Sequence, residues 1–257
     1  MKHESKYRLV VGDVNETLPI ETKDRLFDLI IADPPFGISF SKSSHEYGAK
    51  EYDLYKDDFT PDSYLDFSKK WIKSCYDALK PNGSLYIISG WTNLQYILNA
   101  VKKTDFHMLN HAIWHFSWGV YTKRRFVTSH YHIILLVKNK KENQFYKQKH
   151  YDEDVFYWKE YNRGNDPNRI KGHPCQLPIV LLKKLILTSS SKGDLVGDVF
   201  SGSGGTILAS RMTDRDVIGF EIRKEYESII KQKAKFGELL KKDKQAGSLD
   251  QYLKEGK

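Results

Sequence analysis

Two short segments carry residue types that could do chemistry together. The first is Asp33-Pro34-Pro35-Phe36, directly after the apolar run DLIIA at 28–32. A carboxylate beside two prolines supplies hydrogen-bond acceptors and few donors, because proline has no N–H and its ring fixes φ. Such acceptors suit an amino group conjugated to a ring, as in adenine or cytosine. The lone pair of that nitrogen is delocalised and must be drawn toward tetrahedral geometry before it can act as a nucleophile. Asp33 and the carbonyl of Pro34 are the two acceptors, and Phe36 offers a flat apolar face on which an extruded base can stack. Asp-Pro also opens ordinary turns, but the end of a strand is where ligands sit in open α/β sheets.

The second segment is Asp198-Val199-Phe200-Ser201-Gly202-Ser203-Gly204-Gly205-Thr206, between a strand-like run and a helical one. Its glycines let backbone approach a ligand closely, and a helix N-terminus follows. Glu221 ends the next apolar run, 17 residues beyond Gly204. Nucleotide-binding folds separate their glycine turn from the carboxylate that grips ribose hydroxyls by roughly 20 residues. A dinucleotide-dependent oxidoreductase would need a third glycine where this chain has Ile207.

Elements that could position these segments are legible along the chain. Seven apolar or β-branched runs read as strands: 8–12, 28–32, 84–89, 111–117, 131–138, 195–200 and 216–221. Several are apolar almost throughout, as in strands buried on both faces of a parallel sheet. Helical segments alternate with them. One opens at Thr60-Pro61, keeps helical spacing through Tyr64, Phe67, Trp71, Ile72, Cys75 and Leu79, and stops at the turn signal Lys80-Pro81-Asn82-Gly83. Others are expected over 92–103, 177–190, 205–212 and 224–240. The expected fold is a doubly wound, mostly parallel, seven-stranded α/β sheet, read as a single domain over 1–257. Two aperiodic stretches interrupt it, 37–58 and 139–172; the second interleaves basic and aromatic side chains, from Phe145 to Tyr161. The lysine-rich tail, 238–257, reads as a solvated helix or frayed end.

A formal net charge of +8 over 257 residues suits a polyanionic partner, since each phosphate neutralised releases counterions. Aromatic residues make up 13% of the chain, enough for base stacking as well as packing. With two cysteines, Cys75 and Cys175, neither a disulfide framework nor a cysteine-rich zinc site is expected. No secretory signal or membrane-spanning stretch is apparent, and the expected location is the cytoplasm.

Taken together, D-P-P-F followed much later by D-x-F-x-G-S-G resembles the β-group of S-adenosylmethionine-dependent DNA amino methyltransferases, in which the catalytic motif precedes the cofactor motif. The resemblance extends to VVGDVNETLP with RLFDLIIADPPF, to LKPNGSLYIIS, to RRFVTSHYHIILLVK and to GHPCQLP, which is similar to the family's H-P-x-Q-x-P element. It implies that Asp33, Pro34, Pro35 and Phe36 bind and activate the target base. Phe200, Gly202 and Gly204, with Asp198, Ser201 and Thr206 of the same turn, border S-adenosylmethionine. Glu221 holds its ribose, Asp13 approaches its adenine ring, and His173 and Gln176 sit near its methionine end. Arg124 and Arg125 contact DNA phosphates, and 139–172 is a target-recognition insertion.

Aspartate before Pro-Pro is more usual in members acting on adenine N6, and serine in those acting on cytosine N4, so the resemblance favours adenine. Cytosine N4, RNA adenine, and a nucleic-acid-binding protein with an inactive site are the alternatives. Pro174-Cys175 suggests a cytosine-carbon methyltransferase, but that family places its cysteine after the glycine motif, and here it comes before. The chain departs from the family at Val199 (usually proline), Gly205 (usually threonine) and Leu177 (commonly lysine). The expected partner is double-stranded DNA, with a homodimer and a cognate restriction endonuclease as further candidates; no metal is required, because a positive sulfonium loses its charge in the transfer.

Overall fold

The computed structural model describes residues 4–37, 58–117, 119, 121–157, 159, 161, 168–170, 173 and 175–242. Most of the aperiodic stretch 37–58, part of 139–172, Pro174 and the tail beyond 242 lie outside these residues. All seven expected strands form: β1 (Tyr7–Val11), β2 (Phe27–Ala32), β3 (Leu79–Ser89), β4 (His107–His115), β5 (His130–Val137), β7 (Leu195–Asp198) and β8 (Asp216–Glu221). A two-residue strand, β6 (Val155–Phe156), pairs with Ile113 and Trp114 at the edge and makes the sheet eight-stranded. The order is β1-β8-β7-β2-β3-β5-β4-β6, parallel except where β5 pairs with β3 and β4.

Apolar residues on both faces of β2 explain this arrangement: all six residues, FDLIIA, are buried. One face packs against α4 (Ile179–Ser189), α5 (Gly205–Met212) and α6 (Glu227–Lys242), through side chains such as Leu182, Leu208 and Ile230. The other packs against α1 (Val14–Glu21), α2 (Pro61–Ala78) and α3 (Leu94–Val101), through Leu18, Trp71 and Ile97. At the centre, β2 and β7 lie side by side, with Leu29, Ile30 and Ile31 opposite Val196, Gly197 and Asp198. The chain leaves β2 through α2 toward β3 and leaves β7 through α5 toward β8, on opposite sides. That divergence opens a crevice beyond the carboxyl ends of both strands.

Two local features depart from expectation. Helix α2 starts as expected, with Pro61 in the first turn and a reciprocal Thr60–Ser63 cap. Lys80-Pro81-Asn82-Gly83, read as a terminating turn, instead lies inside β3 as a bulge, and pairing with β2 skips from Phe27↔Leu79 to Leu29↔Ser84. The bulge brings Lys80 Nζ within 2.6 Å of the buried Asp28 carboxylate, whose other oxygen accepts the Leu195 N–H at 2.9 Å. Tertiary partners thus hold a sequence that locally favours a turn. Second, α1 was not anticipated; Pro19 within it and a short apolar stripe obscure it, although Asp13 caps it. No helix among the described residues is long and apolar enough to cross a membrane.

Candidate active site

A cavity of about 420 Å³ occupies the crevice beyond β2, β7 and β8. Of the residues named from sequence, Asp13, Asp33, Pro35, Phe36, His173, Gln176, Asp198, Phe200, Ser201, Gly202, Thr206 and Glu221 all line it. Pro34 and Gly204 belong to the same two turns but are not among the lining residues, and neither are Arg124 and Arg125, which lie on the exposed loop between β4 and β5.

The half of the cavity around Asp33–Phe36 is fixed by side chains from other elements. The Tyr64 hydroxyl, on α2, donates to the Pro35 carbonyl at 3.0 Å. Asn93, which precedes α3, donates its amide to the carbonyls of Phe36 at 2.6 Å and Gly37 at 3.2 Å. The Phe36 ring meets Tyr131 edge to face, centroids 5.1 Å apart, and Tyr131 in turn packs on Trp114 at 5.8 Å. Trp114 and Tyr131 also line the cavity, so Phe36 is one wall of an aromatic recess in the cavity that Asp33 also lines. Gly90 permits this: a Cβ there would stand 3.2 Å from the Phe36 ring. Because Asn93 anchors two successive carbonyls after the prolines, Asn93→Ala should lower kcat about ten- to hundredfold. S-adenosylmethionine affinity, measured by calorimetric titration, should stay unchanged; equal loss of both would mean that the whole cavity depends on Asn93.

The other half is the glycine turn between β7 and α5. Gly202 and Gly204 have φ of +49° and +78°, left-handed values that side chains disfavour. A Cβ on Gly202 would also lie 2.8 Å from Nε2 of His173, so the turn and the His173 segment press directly on each other. The Gly202 N–H donates to Glu221 Oε2 at 2.7 Å, and the Arg223 N–H to Oε1 at 2.9 Å. Burial raises the Glu221 carboxyl above its ordinary value, and those two N–H groups partly offset the effect.

Asp198 is fully enclosed at the end of β7. Burial pushes its carboxyl up to about 8; the Ser201 hydroxyl opposes this, the charges of Glu221 and Asp33 add to it, and the Thr206 hydroxyl again opposes. Its Oδ2 has no hydrogen-bond partner among the described residues. Asp13 caps α1, its Oδ1 accepting from the Asn15 backbone at 2.8 Å and side chain at 3.0 Å.

Gln176 lines the cavity, yet its amide is engaged at both ends by protein. Oε1 accepts from the Ile170 N–H at 3.1 Å and from Lys233 at 2.9 Å, and the amide nitrogen donates to the carbonyls of Ile170 and His173. Lys233, buried on α6, also donates to Ser203 of the glycine turn at 3.1 Å. Gln176 therefore clamps the His173 segment to the turn, and the His173 ring lies 4.8 Å from that of Tyr226.

Several lining or supporting residues were not singled out from sequence: Tyr64, Asn93, Trp114, Tyr131, Tyr226 and Lys233. Only Asn93 carried a local signal, as a polar loop residue just past a strand. The others sit on helices or strands where periodicity reports burial and says nothing of what the side chain faces.

The DNA methylase family (N6_N4_Mtase) matches residues 27–232 of this chain. The type II methyltransferase M.HpaI of Haemophilus parainfluenzae is 30% identical over 241 residues, covering 88% of this chain and 73% of that protein. The type II methyltransferase M2.DpnII of Streptococcus pneumoniae is 29% identical over 250 residues, covering 90% of each. Among solved structures, the PvuII DNA methyltransferase (cytosine-N4-specific) superposes with a TM-score of 0.71 at 18% identity, over 91% of this chain and 86% of that one. A complex of M1.HpyAVI with SAM gives a TM-score of 0.63 at 22% identity, over 89% and 99%. The chain belongs to this family of S-adenosylmethionine-dependent DNA methyltransferases.

The cavity has the chemistry to hold that cofactor. Two buried carboxyl groups, Asp198 and Glu221, one with an oxygen that has no hydrogen-bond partner among the described residues, would face a cationic ligand that also bears hydroxyls. The left-handed glycine turn lets His173 close directly against it, where a side chain on Gly202 would intrude.

Proposed function

We propose that this protein methylates the exocyclic N6 amino group of adenine within double-stranded DNA. The observation that carries this reading is one cavity containing Asp33, at the carboxyl end of β2, together with Asp198 and Glu221 at the ends of β7 and β8. In this reading the target base leaves the duplex and lies against Phe36, within the aromatic recess completed by Tyr131 and Trp114. Asp33 and the Pro34 carbonyl accept hydrogen bonds from the amino group, concentrating its lone pair on nitrogen. Tyr64 and Asn93 hold the following carbonyls so that these acceptors keep their direction.

S-adenosylmethionine, when bound, supplies an electrophilic methyl group whose carbon–sulfur bond breaks as the nitrogen–carbon bond forms. The nitrogen must shed one proton, and Asp33 is the carboxylate placed to draw it away. Glu221 and Asp13 hold the ribose and adenine end of the cofactor, and the turn from Asp198 to Thr206 encloses the remainder. His173 borders the methionine end, and Gln176 fixes His173 from behind.

The segment 139–172 serves as the target-recognition insertion. Its first half is pinned to the methyltransferase body: β6 extends the sheet, the Tyr146 N–H donates to the Thr188 carbonyl at 2.7 Å, and Asp152 pairs with Lys184 of α4. Arg124 and Arg125, both exposed, meet phosphates. The type II names of the relatives support a cognate restriction endonuclease and a cytoplasmic location, with a homodimer as the further assembly to be sought.

Incubation with isotopically labelled S-adenosylmethionine and mixed-sequence duplex DNA, then digestion to nucleosides, tests the reading. Labelled N6-methyladenine is the expected product. Labelled N4-methylcytosine would keep the architecture and overturn the assignment of the base; label appearing only in RNA would overturn the substrate.

A further inference from the structure

The loop between β4 and β5 carries a phenylalanine that packing does not explain. Phe126 is 98% exposed, the most exposed large apolar side chain among the described residues. Lys123, Arg124 and Arg125 precede it, and all three are exposed. Water penalises an exposed aromatic ring of this size, and no described element of the fold covers it.

The loop is nonetheless a built structure. Its legs are closed by the Phe116 N–H donating to the Ser129 carbonyl at 2.8 Å. Nearer the tip, Gly119 lies so close to Val127 and Thr128 that a Cβ there would stand 2.4 Å from Val127 Cγ1. At the tip, the Thr122 hydroxyl donates to the Arg125 carbonyl, and the Arg125 guanidinium reaches Thr128 Oγ1 at 3.4 Å. The loop also springs from the site itself. Trp114, at the end of β4, and Tyr131, at the start of β5, both line the cavity. Phe126 is five residues from Tyr131, a separation that spans at most about 18 Å of extended chain.

We propose that Phe126 is a wedge that enters the base stack of the duplex and fills the space left by the extruded target base, while Lys123, Arg124 and Arg125 hold the flanking phosphates. This rests on the base-extrusion reading given above. Three features support it: an apolar, flat side chain; cations on the residues before it; and a cross-braced loop rooted beside Trp114 and Tyr131 of the aromatic recess. Proteins that unstack DNA use apolar side chains in this way, with basic neighbours on the backbone. A base out of its stack leaves a gap that an aromatic ring fills, which keeps the base from returning.

The test compares Phe126→Ala with the unaltered protein on two oligonucleotide duplexes carrying a methylation site identified from labelled mixed-sequence DNA. One is fully paired; the other has an abasic position opposite the target base, so that extrusion costs little. On the paired duplex, Phe126→Ala should methylate at least about tenfold more slowly under single-turnover conditions. On the abasic duplex the two proteins should agree within about threefold, and Phe126→Trp should restore the rate on paired DNA. Fluorescence of 2-aminopurine at the target position should rise on binding the unaltered protein and rise much less with Phe126→Ala. Equal loss on both duplexes, or no loss on either, would overturn the wedge. Failure of the unaltered protein to methylate any duplex would overturn the functional reading beneath it, which separates the two failures.

Discussion

Asp33→Ala is expected to reduce methyl transfer by about two to three orders of magnitude or more while S-adenosylmethionine still raises the melting temperature of the variant. Removing one preorganised acceptor at a reacting centre ordinarily has an effect of that size. Three contacts around the glycine turn do not involve Asp33: the Gly202 N–H donates to Glu221, Lys233 donates to Ser203, and Gln176 donates to the carbonyl of the adjoining His173. The Asp33 charge in fact opposes ionisation of Asp198, so its removal makes a second carboxylate in the cavity easier to form. Single-turnover methylation of duplex DNA together with melting curves with and without cofactor decides the matter. If the cofactor no longer shifts the melting temperature, the two halves are not separable and the role of Asp33 is structural.

The second large effect concerns Asp198 and its sign depends on pH. Burial raises the Asp198 carboxyl from an ordinary value of 3.8 to about 8, so between those values the folded chain holds a proton that the unfolded chain has lost. Stability therefore falls as pH rises through that window, by up to about 1.4 kcal/mol per unit from this group, and levels off above pH 8. Asparagine has the same shape and no such slope. The cofactor-free Asp198→Asn variant should accordingly match the parent near pH 4 and exceed its stability at pH 9 by about a few kcal/mol. It should bind S-adenosylmethionine more weakly, since the unpartnered oxygen that faces the cationic ligand is gone. Urea melts at pH 5 and pH 9 test the first half and calorimetric titration the second. Parallel pH profiles for parent and variant would show that Asp198 is not the group responsible.

Strand positions were legible because β2, β3, β5, β7 and β8 are buried on both faces and read as near-continuous apolar runs. Helix α2 was legible from its cap, its proline and its stripe. Less legible were places where partners far along the chain decide the local conformation. Lys80-Pro81-Asn82-Gly83 favours a turn, but the Asp28 carboxylate and the edge of β2 make it a bulge. Asp13 was read for its reach toward a ligand, which concealed the helix that it caps.

In the site, both turns were readable because each carries its chemistry in consecutive residues. The aromatic recess was not. Phe36, Tyr131 and Trp114 come from three separate strands or their ends, and their contact depends on the order of those strands in the sheet. Gln176 was correctly placed beside the cavity, but only its four protein contacts reveal that it acts on His173 and the glycine turn.

The central position of β2 beside β7 also constrains how this enzyme comes off the ribosome. Strand β2 is complete by Ala32, but the strand that covers its flank is made about 165 residues later. At ordinary synthesis rates that interval lasts roughly ten to thirty seconds. Throughout it β2 presents an apolar, unpaired edge, the kind of surface that templates aggregation. β1 waits longer still, because its sheet partner is β8, the last strand made. A nascent chain released early would thus hold Asp33-Pro34-Pro35-Phe36 without the strands that carry Asp198 and Glu221. The cavity that unites Asp33, Asp198 and Glu221 can form only once synthesis has passed Glu221.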